Sequence, residues 1–190
     1  MTTDLEAEAL EAWLAERRER LAANLLEHRP AEFARPGKLR QDITAWAEAL
    51  AAGDTRNLII TGQVGTGKTW AVWKAAEHAV RCGYEGRIAI TTAAQLRRIV
   101  APATADPAEF ARYRDAGLLA IDDLGAARLS DWDMDHLGEL ADVRWSNQRP
   151  TLITSNVTAL RPLLGPRISS RLAHNAVVAE MDGPDRRRQQ

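Results

Sequence analysis

Residues 57–69 read Asn-Leu-Ile-Ile-Thr-Gly-Gln-Val-Gly-Thr-Gly-Lys-Thr, and this stretch decides the fold. The apolar run at residues 58–60 predicts a buried parallel strand, which leads directly into the pattern G-x-x-x-x-G-K-T at residues 62–69. That pattern is typical of a phosphate-binding loop, because its glycines let successive amide N–H groups converge on phosphate oxygens. Residues 69–80 then predict a helix whose N-terminus faces the anion with the positive end of its dipole.

The side chains of the loop have separate roles in this prediction. Lys68 reaches the β and γ phosphates as a point charge, and the hydroxyl of Thr69 coordinates Mg²⁺. The alternative is a glycine-rich turn without a ligand, but the strand before the loop and the helix after it favour the binding site. The predicted nucleotide-binding residues are Gly62, Gln63, Val64, Gly65, Thr66, Gly67, Lys68, Thr69 and Trp70.

Length, charge and cysteine content limit the function classes. The 190 residues are enough for one moderate domain with a real core. The formal net charge of -1 excludes a chain held to nucleic acid by bulk positive charge, so any such contact must be a local patch. With Cys82 as the single cysteine, neither a disulfide framework nor a cysteine-based zinc site is available, and the cytoplasm is the default compartment. No signal peptide and no membrane span is visible.

The histidines carry no function in this interpretation, because they are scattered and show no ligand spacing. They are His28, His78, His136 and His174.

The N-terminal region predicts a helix over residues 3–28. Its apolar residues recur at steps of three, four and seven, as on one face of a helix. They are Leu10, Trp13, Leu14, Leu21 and Leu25. This stripe either packs on the protein's own core or docks on another protein, with the cluster Arg17, Arg18 and Arg20 as its solvated edge. The proline at position 30 limits the helix. We therefore divide the chain into an N-terminal helical segment, residues 1–35, and a core domain, residues 36–190.

The rest of the chain alternates between predicted strands and helices. A second amphipathic helix ends at Gly53, and further helices are expected at residues 92–101, residues 108–114 and after Ser130. Strands are expected at 87–91, 118–121 and 151–155, followed by an apolar run at 176–181. Short β-branched runs between helices imply a parallel sheet covered on both faces. Ligands of such sheets bind beyond the carboxyl ends of the strands, where Gly62, Asp122 and Asn156 all fall.

Two acidic residues and one amide complete a candidate catalytic site. Asp122 and Asp123 follow an apolar strand, so Asp122 would hold Mg²⁺ with Thr69, while Asp123 would orient and polarise the attacking water. Asn156 ends the next strand along the chain and can hydrogen-bond the γ-phosphate or that water. Taken singly, an acidic pair after a strand is an ordinary loop and Asn156 is a turn residue. Combined with the upstream loop, they predict an ATPase with ATP and Mg²⁺ as its ligands.

Five sequence blocks carry a family resemblance. They are GQVGTGKT at 62–69, LLAIDDLGA at 118–126, RPTLITSN at 149–156, RISSRL at 167–172 and GPDRRR at 183–188. In this order and spacing they resemble the DnaC/DnaI-type replicative helicase loaders of the AAA+ class. The resemblance covers roughly residues 39–188.

The resemblance implies a fold and a set of roles. The fold is an α/β P-loop NTPase, a three-layer α/β/α core with a parallel sheet of strand order 5-1-4-3-2, preceded by an N-terminal helix. Asn156 would be the sensor 1 residue, and Arg171, with Arg167 beside it, an arginine finger acting on ATP bound to a neighbouring subunit. On their own, these arginines are also compatible with a solvated helix face. The helical lid with its sensor 2 arginine is not expected within this sequence.

The resemblance also implies partners. Loaders and related initiators bind single-stranded DNA with an insertion before the second acidic motif, which corresponds here to residues 92–117. Arginines for phosphate and a tyrosine for base stacking make such a platform, although solvated helix faces explain arginines equally well. The candidate DNA-binding residues are Arg97, Arg98, Arg112, Tyr113 and Arg114.

The function implied is an ATP-dependent helicase loader that assembles, as a homo-oligomer when ATP-bound, on single-stranded DNA and the replicative helicase. The alternative is an IstB-type transposition helper ATPase that acts on target DNA. A small-molecule kinase and an ATP-binding adaptor with little turnover are further hypotheses. The kinase is disfavoured because no acceptor-binding signature is visible, and the adaptor because Lys68, Asp122, Asp123 and Arg171 are all intact.

Overall fold

The computed structural model describes residues 2–126 and 129–185. It contains seven α-helices and five strands within those residues, together with one short 3-10 helix at Ala31–Ala34. The helices are α1 Thr2–His28, α2 Gln41–Ala51, α3 Lys68–Arg81, α4 Ala93–Val100, α5 Pro107–Asp115, α6 Asp131–Ser146 and α7 Arg161–Ala173. The strands are β1 Leu58–Thr61, β2 Ile88–Thr92, β3 Leu118–Asp122, β4 Thr151–Ser155 and β5 Val177–Glu180.

The five strands form one parallel sheet in the order β2-β3-β4-β1-β5. Read from β5 instead of β2, this order is 5-1-4-3-2, so the predicted topology is confirmed. Because every strand points the same way, the carboxyl ends of β1, β3 and β4 meet at one edge. This edge carries the phosphate-binding loop, the acidic pair and Asn156.

The strands bury both faces, and successive residues alternate between two separate cores. Leu58 and Ile60 pack against α2 and α3, whereas Ile59 between them packs against the helices on the opposite face. Both cores consist mainly of buried aliphatic side chains, with Trp46 in one and Phe110 and Tyr113 in the other. This alternation is the physical basis of the predicted three-layer arrangement, which is confirmed.

Helix α1 adds a layer outside α3. Its C-terminal half is anchored by Leu25, which packs with Trp73, Ala76 and Val80 in a third core. Towards its N-terminus, Leu10 and Trp13 are 56% and 47% exposed. The C-terminal half of the apolar stripe therefore packs on the core, whereas its N-terminal half is exposed.

The arginine cluster on α1 differs from its predicted role as a solvated edge. Arg17 Nε donates to the carbonyl of Glu85 at 3.2 Å, and Arg18 Nε lies 3.9 Å from the Glu85 carboxylate. These two side chains therefore fix α1 to the loop after α3. Only Arg20 remains an exposed surface charge.

Helix α7 was not expected from the sequence as a continuous element. It begins with Pro162 in its first turn and contains Gly165, whose φ of 70° and ψ of 171° break the helical path before Pro166. A Gly-Pro pair is normally a helix-ending signal, so it conceals the helix in the sequence. The helix places Arg167 and Arg171 on the segment that leads to β5.

Candidate nucleotide site

The phosphate-binding loop packs against residues 181–185, which follow β5. A side chain at Gly62, where φ is 145°, would approach the carbonyl oxygen of Met181 to 2.2 Å. One at Gly65, where φ is 84°, would approach the Asp185 carboxylate to 2.0 Å. Met181 N also donates to the carbonyl of Thr61 at 2.7 Å. The backbone conformation therefore favours glycine at both positions, and at Gly62 a backbone carbonyl also leaves no space for a side chain.

Lys68 connects the loop to the neighbouring strand. Its Nζ donates to the carbonyls of Gly62 and Gln63 at 2.7 and 2.8 Å, and to Asn156 Oδ1 at 2.7 Å. The side chain is only 7% exposed. The predicted phosphate ligand and the predicted sensor amide are thus in direct contact.

A second contact joins Thr69 to the acidic pair. The Thr69 hydroxyl donates to Asp122 Oδ2 at 2.8 Å, while the other Asp122 oxygen accepts from Thr154 Oγ1 at 2.6 Å. Asp122 is 7% exposed. A carboxylate and a hydroxyl at this distance are hard oxygen donors of the kind that Mg²⁺ prefers. The donor set of Thr69 and Asp122 therefore fits the magnesium ion expected from the sequence.

Asp123 turns its carboxylate towards Asn156. Its backbone is left-handed, with φ of 60°, and its N–H donates to Thr154 Oγ1 at 2.8 Å. Asn156 Nδ2 donates to Asp123 Oδ1 at 3.0 Å. Since the other end of the same amide accepts from Lys68, Asn156 bridges the phosphate-binding lysine and the predicted water-orienting carboxylate.

An open cleft of about 960 Å³ lies above these side chains. On the phosphate side it is lined by Lys68, Thr69, Asp122, Asp123 and Asn156. A nucleoside triphosphate is a ligand of a size typical for such a volume. The structure thus brings together all the predicted catalytic residues except Arg171.

The opposite side of the cleft is formed by the segment between α1 and α2. Phe33, Arg35 and Gly37 line it together with Trp70, whose Nε1 donates to the Arg35 carbonyl at 3.0 Å. A side chain at Gly37 would approach the Trp70 ring to 2.7 Å. This segment resembled a plain connector in the sequence, so its place in the cleft was missed.

Some of the predicted loop residues lie beneath the cleft. Val64, Gly65, Gly67 and Trp70 line it with Lys68 and Thr69, whereas Gly62, Gln63 and Thr66 do not. The Thr66 hydroxyl donates to the Gln63 carbonyl at 2.9 Å and is almost fully buried. Thr66 therefore stiffens the loop from inside.

Arg171 lies at the other edge of the sheet. Asn57, directly before β1, donates from its amide to the carbonyls of Arg171 and Leu172 at 3.4 and 2.9 Å. Strand β1 has four residues, so the phosphate-binding loop begins about 13 Å away at its other end. Arg171 is thus separated from the phosphate-binding loop of its own chain.

Two side chains of α6 hold Arg171. Arg171 Nε donates to Asp142 Oδ1 at 3.2 Å, and its guanidinium carbon lies 3.8 Å from the centroid of the Trp145 ring. Arg167 pairs with the same carboxylate. Burial works towards a higher pKa for Asp142, but the hydrogen bonds from Arg167 and then Arg171 lower that pKa below its usual value. Asp142 therefore stays ionised between both arginines.

Among the candidate DNA-binding residues, the structure rules out the stacking role of Tyr113 and gives partners to the four arginines. Tyr113 is 3% exposed, so its ring is part of the core and its assignment to base stacking is wrong. Arg97 pairs with Asp133 at 3.1 Å and lines the nucleotide cleft. Arg112 pairs with Glu109, and Arg114 with Asp115 at 2.9 Å. Arg98 bonds the Gln95 side chain at 3.0 Å.

Sequence analysis missed three further residues that support the predicted catalytic residues, and two of them carry a signal. Thr154, a polar residue inside the apolar strand β4, positions both members of the acidic pair. Asn57, also polar beside an apolar strand, accepts from Thr151 N at 2.8 Å and ties three elements together. Trp145 is 41% exposed, and only the fold shows that it lies beside Arg171.

The block at residues 183–188 lies only in part within the described chain. Asp185 is described, but Arg186, Arg187 and Arg188 lie outside the described residues. Within residues 2–126 and 129–185, no helix is both long and apolar enough to cross a membrane.

Comparison with solved structures agrees with the fold. The DnaC helicase loader superposes with a TM-score of 0.65 at 20% identity, covering 78% of this chain and 93% of that one. DnaI gives 0.66 at 22% identity, covering 84% and 94%. The replication initiator DnaA bound to AMPPCP and single-stranded DNA gives 0.59 at 18% identity, covering 78% and 48%. At these identities the likeness shows the fold alone, which is that of the P-loop AAA+ class.

Comparison at the level of sequence gives the family. No curated protein matches the chain in a search of single sequences. A family model described as IstB-like ATP binding protein matches residues 31–190, which is most of the chain and includes every residue of the candidate site. The chain therefore belongs to the family of IstB-like ATP-binding proteins.

Proposed function

We propose that this chain is a Mg²⁺-dependent ATPase that loads a replicative helicase onto single-stranded DNA. The observation that carries the proposal is the pair of contacts from the Asn156 amide, 2.7 Å to Lys68 and 3.0 Å to Asp123. This amide links the lysine that holds the phosphates to the carboxylate that orients water. The family and the fold shared with the DnaC helicase loader support the same function.

The residues of one chain supply binding and part of the chemistry. The loop amides and Lys68 would hold the phosphates, and Thr69 with Asp122 would hold Mg²⁺, which when bound would neutralise charge on the phosphate oxygens. Asp123 accepts a hydrogen bond from the attacking water and orients it towards the γ-phosphorus. The products are ADP and phosphate. Asn156 senses the γ-phosphate, because a phosphate oxygen near Lys68 competes for the bond that this amide now accepts.

In this proposal a second chain supplies the positive charge that stabilises the transition state. Arg171 is far from its own phosphate-binding loop, with Asn57 at the amino end of β1 holding its backbone. A guanidinium delivered to the γ-phosphate by a neighbouring subunit would stabilise the charge of the transition state. Hydrolysis then requires assembly, so the rate of ATP hydrolysis reports that an oligomer has formed.

The partners are assigned to two surfaces of the chain. The N-terminal helical segment, residues 1–35, presents Leu10 and Trp13 at its exposed end, and we assign helicase contact to this end. Arginines on the α4 and α5 side, namely the exposed Arg98 and Arg112 and the half-buried Arg114, are assigned to DNA phosphates. Tyr113 is excluded from the DNA contact by its burial.

The test measures ATPase activity per mole against protein concentration, with and without single-stranded DNA and a replicative helicase. We expect the specific activity to rise with concentration and to respond to DNA, and we expect the helicase to co-elute with the protein only with a non-hydrolysable ATP analogue. A rate that is flat and insensitive to DNA would overturn the proposal. A response to DNA without helicase binding would favour a DNA-remodelling ATPase of another kind, such as a transposition helper.

A further inference from the structure

Glu48, His78 and Cys82 bring one carboxylate, one imidazole and one thiol together on the surface of α2 and α3. His78 Nε2 lies 3.2 Å from Glu48 Oε1 and 3.5 Å from Cys82 Sγ. The three potential ligand atoms all lie within 4.8 Å of one another. The nucleotide site uses none of these side chains.

Two of the three separations match those of ligands that share one metal ion. Around tetrahedral Zn²⁺, with bonds of about 2.0–2.1 Å to nitrogen and oxygen and about 2.3 Å to sulfur, neighbouring N and O atoms lie about 3.4 Å apart and N and S atoms about 3.5 Å apart. The observed values for the Nε2–Oε1 and Nε2–Sγ pairs agree to within about 0.2 Å with this geometry. The adjustment needed to close on an ion therefore falls mainly on the third pair, Glu48 and Cys82, whose ligand atoms lie within 4.8 Å of each other.

The three residues are carried by α2 and α3, two helices that pack against each other. His78 lies in the last turn of α3 and Cys82 directly follows the helix, so their side chains share one helix face, and the Cys82 N–H donates to the His78 carbonyl at 2.9 Å. Glu48 lies on α2, which packs against α3 through Trp46 and a set of fully buried alanines. In the sequence, Glu48 is 30 residues from His78, and this separation conceals the cluster.

We propose that Glu48, His78 and Cys82 bind a divalent transition-metal ion of the zinc type, with water as the fourth ligand. A thiolate and an imidazole select zinc-like ions over Mg²⁺, which takes oxygen ligands. One thiolate and one carboxylate also neutralise the two charges of the ion. Thiol deprotonation accompanies metal binding, with the proton released to solvent.

One neighbouring cation must turn away for the ion to bind. Arg81 Nη2 lies 3.3 Å from His78 Nδ1, whereas a histidine that binds metal through Nε2 carries its proton on Nδ1. Arg81 is exposed, so its side chain can rotate into solvent. The Glu48 carboxylate, which now faces the ring, becomes a ligand in place of a hydrogen-bond acceptor.

The proposed site is distinct from that of the nucleotide. Helix α3 has 14 residues, with Lys68 at its first position and Cys82 just after its last, so about 20 Å separate the two sites. Binding of the metal should therefore persist when ATP and Mg²⁺ saturate the cleft. This independence separates the proposal from the magnesium site expected near Thr69 and Asp122.

Co²⁺ alone, added to the reduced full-length protein, is the probe. Because Cys82 is the only cysteine of the sequence, a sulfur-to-cobalt charge-transfer band reports this residue and no other. We expect that band, together with visible bands of a four-coordinate ion, and their loss when Zn²⁺ is added. Saturating ATP and Mg²⁺ should leave the band unchanged.

Variants distinguish a three-ligand site from a lone thiol. Cys82→Ser should remove the band, and His78→Gln and Glu48→Gln should each weaken Co²⁺ binding at least about ten-fold. His136→Gln, which changes another half-buried helical histidine, is the matched control and should have no effect. The proposal fails if no charge-transfer band forms, or if His78→Gln binds Co²⁺ as tightly as the unchanged protein.

Discussion

The guanidinium carbon of Arg171 lies 3.8 Å from the centroid of the Trp145 ring. The same guanidinium bonds Asp142 through Nε, so stacking and ion pairing together restrain its position on the surface of α6 and α7. An arginine that must enter a neighbour's site gains from such restraint, because less side-chain freedom is lost on assembly.

Replacing Arg171 by Ala should abolish turnover and spare nucleotide binding. Arginine fingers contribute about 10³-fold or more to hydrolysis. Single-turnover hydrolysis at concentrations that favour assembly, alongside binding of a fluorescent ATP analogue, separates the two quantities. Adding the Arg171→Ala variant to an excess of Lys68→Ala protein should restore activity, because each variant supplies what the other lacks. Equal rates for Arg171→Ala and the unchanged protein would remove Arg171 from the mechanism.

Replacing Trp145 by Leu should lower turnover by about five-fold, which corresponds to a loss of about 1 kcal/mol of cation–π stabilisation. The affinity for ATP should not change, because Trp145 does not line the cleft. Trp13→Leu is the matched control, since it removes a second stacked pair, between Trp13 and Arg17, far from the interface proposed for Arg171. A fall in turnover of the same size in the control would point to a general loss of stability.

Replacing Asn156 by Ala should keep ATP binding and reduce hydrolysis by about 100-fold, as for other preorganised amides near developing charge. Lys68 retains the carbonyls of Gly62 and Gln63 as partners in this variant. ATP affinity and single-turnover rate are the two readouts. Asn147→Ala, at the end of α6, should match the unchanged protein in both. An Asn156→Ala variant that loses nucleotide binding would show that the amide is needed to shape the loop.

Replacing Arg144 by Met should destabilise the fold by about 3 kcal/mol or more, because buried carbonyls would lose their donor. Arg144 is 1% exposed and donates to Thr151 and to the carbonyls of Tyr113, Arg114, Ala116, Gly117 and Pro150. Urea unfolding measures the free energy difference. Arg98→Met, at an exposed position, should stay within about 0.5 kcal/mol of the unchanged protein. A similar midpoint for Arg144→Met and Arg98→Met would refute the structural role of Arg144.

Stability should fall as the pH rises above about 10, partly through Tyr84. Burial raises the pKa of the Tyr84 hydroxyl to about 12, and a side chain at Gly86 or Gly117 would approach that hydroxyl to 2.3 or 2.6 Å. In the unfolded chain the phenol ionises near its ordinary pKa of 10, so between these pKa values the folded state holds the proton and unfolding releases it. Measured across this pH range, the free energy of unfolding should fall less steeply for Tyr84→Phe than for the unchanged protein. An absorbance titration in which all tyrosine ionises near its ordinary value would contradict the prediction.

The fold could be predicted because its signals are local. Residues 57–69 define a strand, a loop and a helix by their spacing alone, and the strands at 118–122 and 151–155 are apolar runs bounded by polar residues. The capping box of Ser130 and Asp133, which begins α6, is likewise readable from four adjacent residues. Helix α7 was missed because Gly165 and Pro166 interrupt it, yet tertiary packing of Leu164 and Ile168 overrides the local signal.

The candidate site could be predicted only where its members belong to the strand ends. Asp122, Asp123 and Asn156 follow from the rule that parallel strands place their carboxyl ends together. The exposure of Tyr113 could not be predicted, since nothing in the sequence tells which side of α5 faces the core. The contacts of Arg171 with Asp142 and Trp145 could not be predicted either, because these residues precede it by 29 and 26 positions along the chain.

Arg171 and the phosphate-binding loop lie at opposite edges of the sheet. The number of complete catalytic sites therefore depends on how the protomers are arranged. If the arginine of each protomer completes the site of the next, contacts run head to tail, and a dimer related by a twofold axis is not the repeating unit. An open row of protomers then always contains one complete catalytic site fewer than the number of chains, whereas a closed ring has as many complete sites as chains. The terminal protomer of an open row retains ATP that it cannot hydrolyse, so the assembly would have one stable end and would be dismantled from its completed sites.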